Sequence, residues 1–226
     1  MNVVENPPAE MQAQRTNDFV IKFANVNGSG SASANGMFAK ALFRMGIPTA
    51  PRNIFPSNIQ GLPTWFEVRV SEAGHLGRRE GVDVFVAMNA ETYARDVAEL
   101  VPGGWLLYDS TRPKPREFER EDVHYLGIPI SRLIQDVWDD PKQRQLFKNI
   151  VYVGALSALL DIEFDVLTDM VADQYRGKEK LIGPNVRALE IGRDFALAEF
   201  DCPLDVRVER ADAVGDRIMV DGNTAC

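Results

Sequence analysis

Residues 23–46 read "FANVNGSGSASANGMFAKALFRMG", an apolar run, a Gly/Ser turn, and then apolar residues at helical spacing. Just before the turn, "DFVIKFAN" (residues 18–25) has the β-branched and aromatic content of a buried strand. After it, Met37, Phe38, Ala41, Leu42 and Met45 fall on one face, so the spacing predicts an amphipathic helix that ends at Gly46. A strand, a tight turn and a helix in this order is the basic unit of an α/β fold, and the pattern recurs downstream. "VDVFVAM" (82–88) is nearly continuous in apolar residues, as suits a central strand covered on both faces. "NAETYARDVAEL" (89–100) follows as a helix with Asn89 as its cap, and "GGWLLYDS" (103–110) as another buried strand.

Between these units, "IPTAPR" (47–52) reads as a short strand, and "WFEVRVS" (65–71) alternates like a strand exposed on one face. Beyond about Pro129 the character changes. Residues 140–160, 164–175 and 186–200 carry helix-compatible repeats, interrupted by "DIEF" and "KEKLIGPN". The expected fold class is therefore α/β: Rossmann-like, with a largely parallel sheet flanked by helices, a single domain with a helical C-terminal half. Residues 1–16, polar with a Pro-Pro pair, read as a mobile arm. Residues 17–202 form the domain. Residues 203–226 add a strand, a turn at Gly215 and another short strand, with Pro203 marking the boundary.

The 226 residues, 45% of them hydrophobic, suffice for one substantial core. A formal charge of -8 argues against general attraction to nucleic acid or an anionic membrane. No apolar run approaches the roughly 20 residues that cross a bilayer, and the first residues lack the basic start and apolar core of a signal peptide, so a cytoplasmic location is expected. Cys202 and Cys226 cannot supply the four thiolates of an ordinary iron-sulfur cluster, and His75 and His124 do not form a zinc pattern. The two histidines read as surface or loop residues. Cys202, beside Asp201, lacks the basic neighbour that activates a thiol.

Gly28, Ser29, Gly30 and Ser31 sit where a strand meets a helix N-terminus, an arrangement suited to cradling a diphosphate. The GxGxxG pattern is incomplete, since Ser33 takes its final position. No acid occurs between Phe19 and Phe66, whereas Lys22, Lys40, Arg44 and Arg52 do, which makes the stretch locally positive. Arg52 stands where an NAD site wants an acid, disfavouring NAD and leaving NADP or another phosphorylated ligand. The same glycines also fit a turn that only redirects the chain. In "NIFPSNIQGLPTWFEVRVS" (53–71), Ser57, Asn58 and Gln60 offer polar contacts beside Gly61, and a solvated connection is the competing reading. "EAGHLGRREGVD" and "DSTRPKPREFERED" read as solvated charged loops.

Taken together, "VNGSGSASANGMFAKALFRMGIPTAPRNIFPSNIQGLPTWFEVRVS", "GVDVFVAMN", "GGWLLYDST", "NIVYVGALSALL" and "NVRALEIGRDFALAEF" resemble the gamma domain of 2-oxoacid:ferredoxin oxidoreductases. The chain looks most like the version at the front of the 2-oxoglutarate:ferredoxin oxidoreductase alpha subunit. The resemblance implies oxidative decarboxylation of a 2-oxoacid with coenzyme A, giving an acyl-coenzyme A and reduced ferredoxin. That reaction needs a thiamine carbanion and one-electron carriers that ordinary side chains do not supply. Thiamine diphosphate, magnesium and an iron-sulfur cluster are accordingly expected only on partner domains or subunits: the rest of the alpha subunit and the beta subunit, with ferredoxin an indirect partner. "MVDGNTAC" (219–226) looks like the point where the next domain begins, and neither a Tyr-Pro-Ile-Thr-Pro segment nor a Gly-Asp-Gly motif is present. The isolated chain is expected to be inactive.

By this resemblance the domain packs on the catalytic domains and helps enclose coenzyme A, its cosubstrate. The implied contacts are Asn27, Gly28, Ser29, Gly30 and Ser31 at the turn, Arg52 toward phosphate, Ser57, Asn58 and Gln60, and Asn149, which alternatively caps its helix. A stand-alone NADP-dependent oxidoreductase and a purely structural partner-binding domain are the alternatives.

Overall fold

A computed structural model describes residues 15–55, 62–200 and 204–218. In chain order the elements are β1 (Arg15–Thr16), β2 (Asp18–Val26), α1 (Ser31–Arg44), β3 (Thr49–Ile54), β4 (Pro63–Ser71), β5 (Val82–Ala87), α2 (Tyr93–Glu99) and β6 (Leu100–Asp109). They continue with β7 (His124–Ile128), α3 (Ile130–Gln135), α4 (Pro141–Leu159), α5 (Phe164–Gln174), α6 (Ile182–Glu199) and β8 (Val206–Arg207).

The six-stranded sheet has the order β3-β4-β2-β5-β6-β7. Strands β2, β5, β6 and β7 run parallel, whereas β4 is antiparallel to both β2 and β3. The sheet is thus largely parallel, with a β3–β4 ribbon added at one edge. On β2, Phe19, Ile21 and Phe23 pack with α1, α4 and α6 in the larger core, while Val20 and Ala24 join the smaller core beneath α2. Burial on both faces follows from helices on both sides, and it explains the nearly continuous apolar run of β5.

The one-sided exposure expected of residues 65–71 is not found. Glu67 and Arg69 are buried, because β4 lies between β2 and β3 and its second face is covered as well. Arg69 donates to the Phe19 carbonyl (3.2 Å) and pairs with Asp18, which satisfies its charge. His124 is likewise not a loop residue: it lies half-buried on β7 with its ring 4.2 Å from that of Trp105. Strand β7 and helix α3, short and adjacent to a charged loop, carried too little periodic signal to be read in advance. Only the first half of "KEKLIGPN" separates helices: residues 178–181 lie between α5 and α6, and residues 182–185 already belong to α6. A 3-10 turn over Glu179–Leu181 runs straight into α6, whose first turn tolerates Pro184 because its missing N–H has no partner there.

Helices α4 and α6 cross at Gly154 and Gly192; a Cβ on Gly154 would lie 2.0 Å from the Leu189 carbonyl oxygen, and one on Gly192 would lie 1.9 Å from that of Val151. The first and last of the described segments are tied to the domain. Arg15 and Thr16, assigned by sequence to the arm, pair in parallel with Val206 and Arg207. Leu204, Val206, Val208 and Val214 are buried against the core. Residues 213–216 turn at Gly215, and the short strand expected beyond falls mostly outside the described residues. Among the described residues, no helix is long and apolar enough to cross a membrane, and no three potential ligands gather for a metal ion.

Candidate functional site

After β2 the chain turns into α1 on one face and proceeds to the β3 edge; after β5 it enters α2 on the other face and proceeds to β6. The C-terminal ends of β2 and β5 are therefore the point where the connections diverge, the position at which open α/β sheets bind ligands. The Gly/Ser turn lies there. A cleft of about 330 Å³ opens between the turn, the start of α1 and the β3–β4 ribbon, lined by Asn25, Asn27, Asn35, Asn53, Phe55 and Trp65 among others.

The turn is built by local geometry. Gly28 (φ 80) and Gly30 (φ 79) take left-handed conformations that favour glycine. The Ser29 amide donates to the Val26 carbonyl (3.2 Å), and the Asn27 amide to that of Leu62 (3.3 Å). Gly30 is the N-cap of α1, no side chain among the described residues caps that helix, and its first turn holds no acid. The leading amides of a 14-residue helix, with their partial positive charge, are thus left for a ligand beside Gly28, Gly30 and Ser31, which line the cleft.

Asn149 does not cap a helix; it lies inside α4, and its Nδ2 donates to the Ser29 carbonyl (2.8 Å). It is absent from the cleft lining and holds the turn from behind. Leu146, one turn earlier on α4, has its Cδ2 2.6 Å from where a Cβ on Gly30 would lie, so this exposed side chain would have to swing aside, and it is the positive φ of Gly30 that favours glycine there. Farther along, the Tyr152 hydroxyl donates to Asn35 Oδ1 (2.6 Å), and complete burial pushes this phenol's pKa up. Asn25 is 3% exposed in the cleft wall, and its Nδ2 has no hydrogen-bond partner among the described residues, a donor that a ligand acceptor would satisfy.

Folding disperses the cations that made the sequence locally positive. Lys22 is buried on the α2 face of β2, paired with Glu99. Arg44, at the far end of α1, pairs with Asp173 (2.9 Å). Lys40 is exposed on α1, about two and a half turns from the helix start. Arg52 lies opposite Glu67, itself opposite Lys22, so strand alternation directs it to the α2 face while its neighbour Asn53 lines the cleft. No charged side chain is among the cleft's described lining residues. The arginine that favoured NADP is therefore not at the turn. Ser57, Asn58 and Gln60 lie outside the described residues.

Sequence reasoning did not single out Asn25, Asn35, Asn53 or Trp65. A signal existed for Asn35, a polar residue on the buried face of α1 between Ala34 and Phe38. Trp65 is fixed from behind: its Nε1 donates to Asp96 Oδ1 (3.0 Å), and the Arg95 guanidinium lies 4.2 Å from the ring centre. Burial pushes Asp96 up to about 6, against the opposing effect of hydrogen bonds from Thr92 and Trp65. For neighbouring Glu99 burial acts upward too, but hydrogen bonds from Lys22 and Arg95 outweigh it and hold its pKa below the usual range.

The family model for pyruvate ferredoxin/flavodoxin oxidoreductase matches residues 20–195, from β2 into α6. The chain belongs to this family. Among curated members, it is 22% identical to the alpha subunit of 2-oxoacid:ferredoxin oxidoreductase 2 from Aeropyrum pernix, covering 90% of this chain and 37% of that protein. It is 24% identical to the 2-oxoglutarate oxidoreductase subunit KorA of Mycobacterium tuberculosis, covering 80% and 31%. The chain thus spans about a third of the length of these relatives. Among solved structures, 2-oxoglutarate:ferredoxin oxidoreductase from Magnetococcus marinus, with 2-oxoglutarate, coenzyme A and succinyl-CoA bound, matches with TM-score 0.74 and 26% identity, over 87% of this chain and 34% of that one. The gamma subunit of a keto/oxoacid ferredoxin oxidoreductase from Geobacter sulfurreducens shares the fold with TM-score 0.62 and 23% identity, over 80% of this chain and 99% of that subunit. Among these solved structures the fold occurs both as part of a longer chain and as nearly a whole one.

Proposed function

We propose that this chain is the gamma-type component of a 2-oxoacid:ferredoxin oxidoreductase and that its cleft takes part of coenzyme A during oxidative decarboxylation of a 2-oxoacid, with 2-oxoglutarate the favoured substrate. The observation that carries the reading is the uncapped N-terminus of α1 at the divergence of β2 and β5, opening on a cleft whose wall holds an unmet amide donor. The ligand named for the 26% identical structure supports coenzyme A, and the names of that protein and of KorA support 2-oxoglutarate. Helix-terminal amides would meet phosphate oxygens, while the asparagine side chains suit the ligand's neutral acceptors. Thiamine diphosphate, magnesium and the iron-sulfur cluster would reside on partner domains, which also carry the decarboxylation and electron transfer. Val26, Phe55 and Leu146 are exposed around the turn and form an apolar rim that those domains would cover.

Calorimetric titration of the chain and of the reconstituted complex with coenzyme A, NADP and NADPH tests this. Coenzyme A is expected to bind and the nicotinamide nucleotides are not. Selective NADPH binding, or a complete complex whose coenzyme A affinity is insensitive to changes at the turn, would overturn the reading. Asn149→Ala frees the Ser29 carbonyl and is expected to weaken coenzyme A binding about fivefold, about 1 kcal/mol. Arg52→Ala, on the opposite face, is expected to leave the affinity unchanged.

A further inference from the structure

Behind Trp65 lies a buried polar chain that the cleft's chemistry does not use. Thr92 is 4% exposed, and its hydroxyl lies 2.6 Å from Asp96 Oδ2 and 3.0 Å from the Asn89 carbonyl oxygen. Both are bonding distances, yet a hydroxyl carries one hydrogen. The carbonyl can only accept. If the hydroxyl serves Asn89, the short contact to Asp96 requires a proton on the carboxyl; if it serves Asp96, the Asn89 contact loses its hydrogen. Asp96 is fully buried, which disfavours its charged form, and Trp65 occupies the other oxygen.

We propose that Asp96 is a positioning residue that carries an exchangeable proton, and that this proton completes a hydrogen-bond relay from Trp65 in the cleft wall through Thr92 to Asn89 at the end of β5. With the proton in place, Trp65 donates to Asp96, Asp96 to Thr92, and Thr92 to Asn89. Without it, both Trp65 and Thr92 donate to the carboxylate and the hydroxyl's bond to Asn89 is lost, leaving that carbonyl with the Thr92 amide alone (3.2 Å) as donor among the described residues. The two ends are the cleft wall and the loop after β5, so the proton couples that loop to the cleft wall. The titratable and charged groups around Asp96 are Arg95, Glu99 and Tyr93 from α2 and Lys22 from β2. Lys22 and Arg95 are each bonded to Glu99, which leaves Asp96 without a cationic hydrogen-bond partner.

The fold raises this group from 3.8 to about 6, so the native state holds the proton more tightly than the unfolded chain. Stability from this source is fully present below about pH 4 and is lost as the pH rises through about 6. Asparagine at position 96 can accept from Trp65 and donate to Thr92, reproducing the protonated relay without a titration.

The test follows the Trp65 indole N–H, identified by its loss in Trp65→Phe, and the Ala90 amide next to the Asn89 carbonyl, by nuclear magnetic resonance of the full chain from about pH 4 to about pH 8. Both signals are expected to move on one curve in the wild type and to stay fixed in Asp96→Asn. In Thr92→Val, Trp65 should still titrate while Ala90 does not. A Trp65 signal that does not titrate, or wild-type Trp65 and Ala90 signals with different midpoints, overturns the relay. The effect on coenzyme A rests on the proposed function: Asp96→Ala is expected to weaken binding about fivefold and Asp96→Asn to restore it. Equal binding by all three proteins overturns the positioning role. Absence of binding by the wild type counts against the proposed function, while the resonance titration still decides the relay.

Discussion

Gly192→Ala is expected to lower the unfolding free energy by about 3 kcal/mol and the thermal midpoint by about 10 °C. The new Cβ would stand 1.9 Å from the Val151 carbonyl oxygen and 2.8 Å from the Ala155 nitrogen, both backbone atoms of the facing helix. No rotamer change relieves such a contact, so α4 and α6 must separate, and Val151, Ala155 and Leu189 lose close packing. Gly154→Ala meets the reciprocal obstacle at Leu189. Once the helices have moved for one substitution, the second costs less, and the double variant is expected to fall short of the sum. Gly183→Ala, on the same α6 with nothing within 4 Å of its added carbon, is the control and should leave the midpoint nearly unchanged. Thermal unfolding followed by circular dichroism distinguishes these cases. A Gly192→Ala midpoint equal to that of the control would show that glycine does not set the crossing.

The second large effect is expected at Asp83, which is 2% exposed at the start of β5. One carboxylate oxygen accepts from the Val20 amide (2.7 Å) and pairs with Arg79; the other lies 2.8 Å from Arg15 Nη2. Arg15 also reaches Asp205 (3.4 Å), and Asp205 accepts from Trp105 Nε1 (2.9 Å), so one acid helps join β1, the sheet and the segment before β8. Asp83→Ala leaves the buried Val20 amide unpaired and removes one partner from Arg79 and one from Arg15, which keeps Asp205; because both guanidiniums are about a third exposed, the cost is about 2–3 kcal/mol. Asp83→Asn retains an acceptor for Val20 and should cost less. Urea midpoints order the three proteins, and proteolysis after Arg15 should accelerate in the alanine variant because β1 is released. Equal midpoints for all three would rule out the ion cluster as a tie.

The sequence alone determined the α/β class, because strand and helix periodicities are local properties of the chain. The alternation around residues 18–46 and again around 82–110 needed no tertiary information. The conformation of the turn was legible for the same reason, since Gly28 and Gly30 are the residues that adopt positive φ without strain. What the chain faces was not legible. Lys22, Lys40, Arg44 and Arg52 are neighbours along the sequence, but strand alternation, helix length and ion pairing carry each away from the turn. Asn149, with 119 residues between it and Ser29, is brought behind that turn only by the packing of α4 against α1. The cleft's asparagines and Trp65 come from β2, the turn after it, α1, β3 and β4, and their convergence depends on sheet order and register, which nonlocal pairing decides.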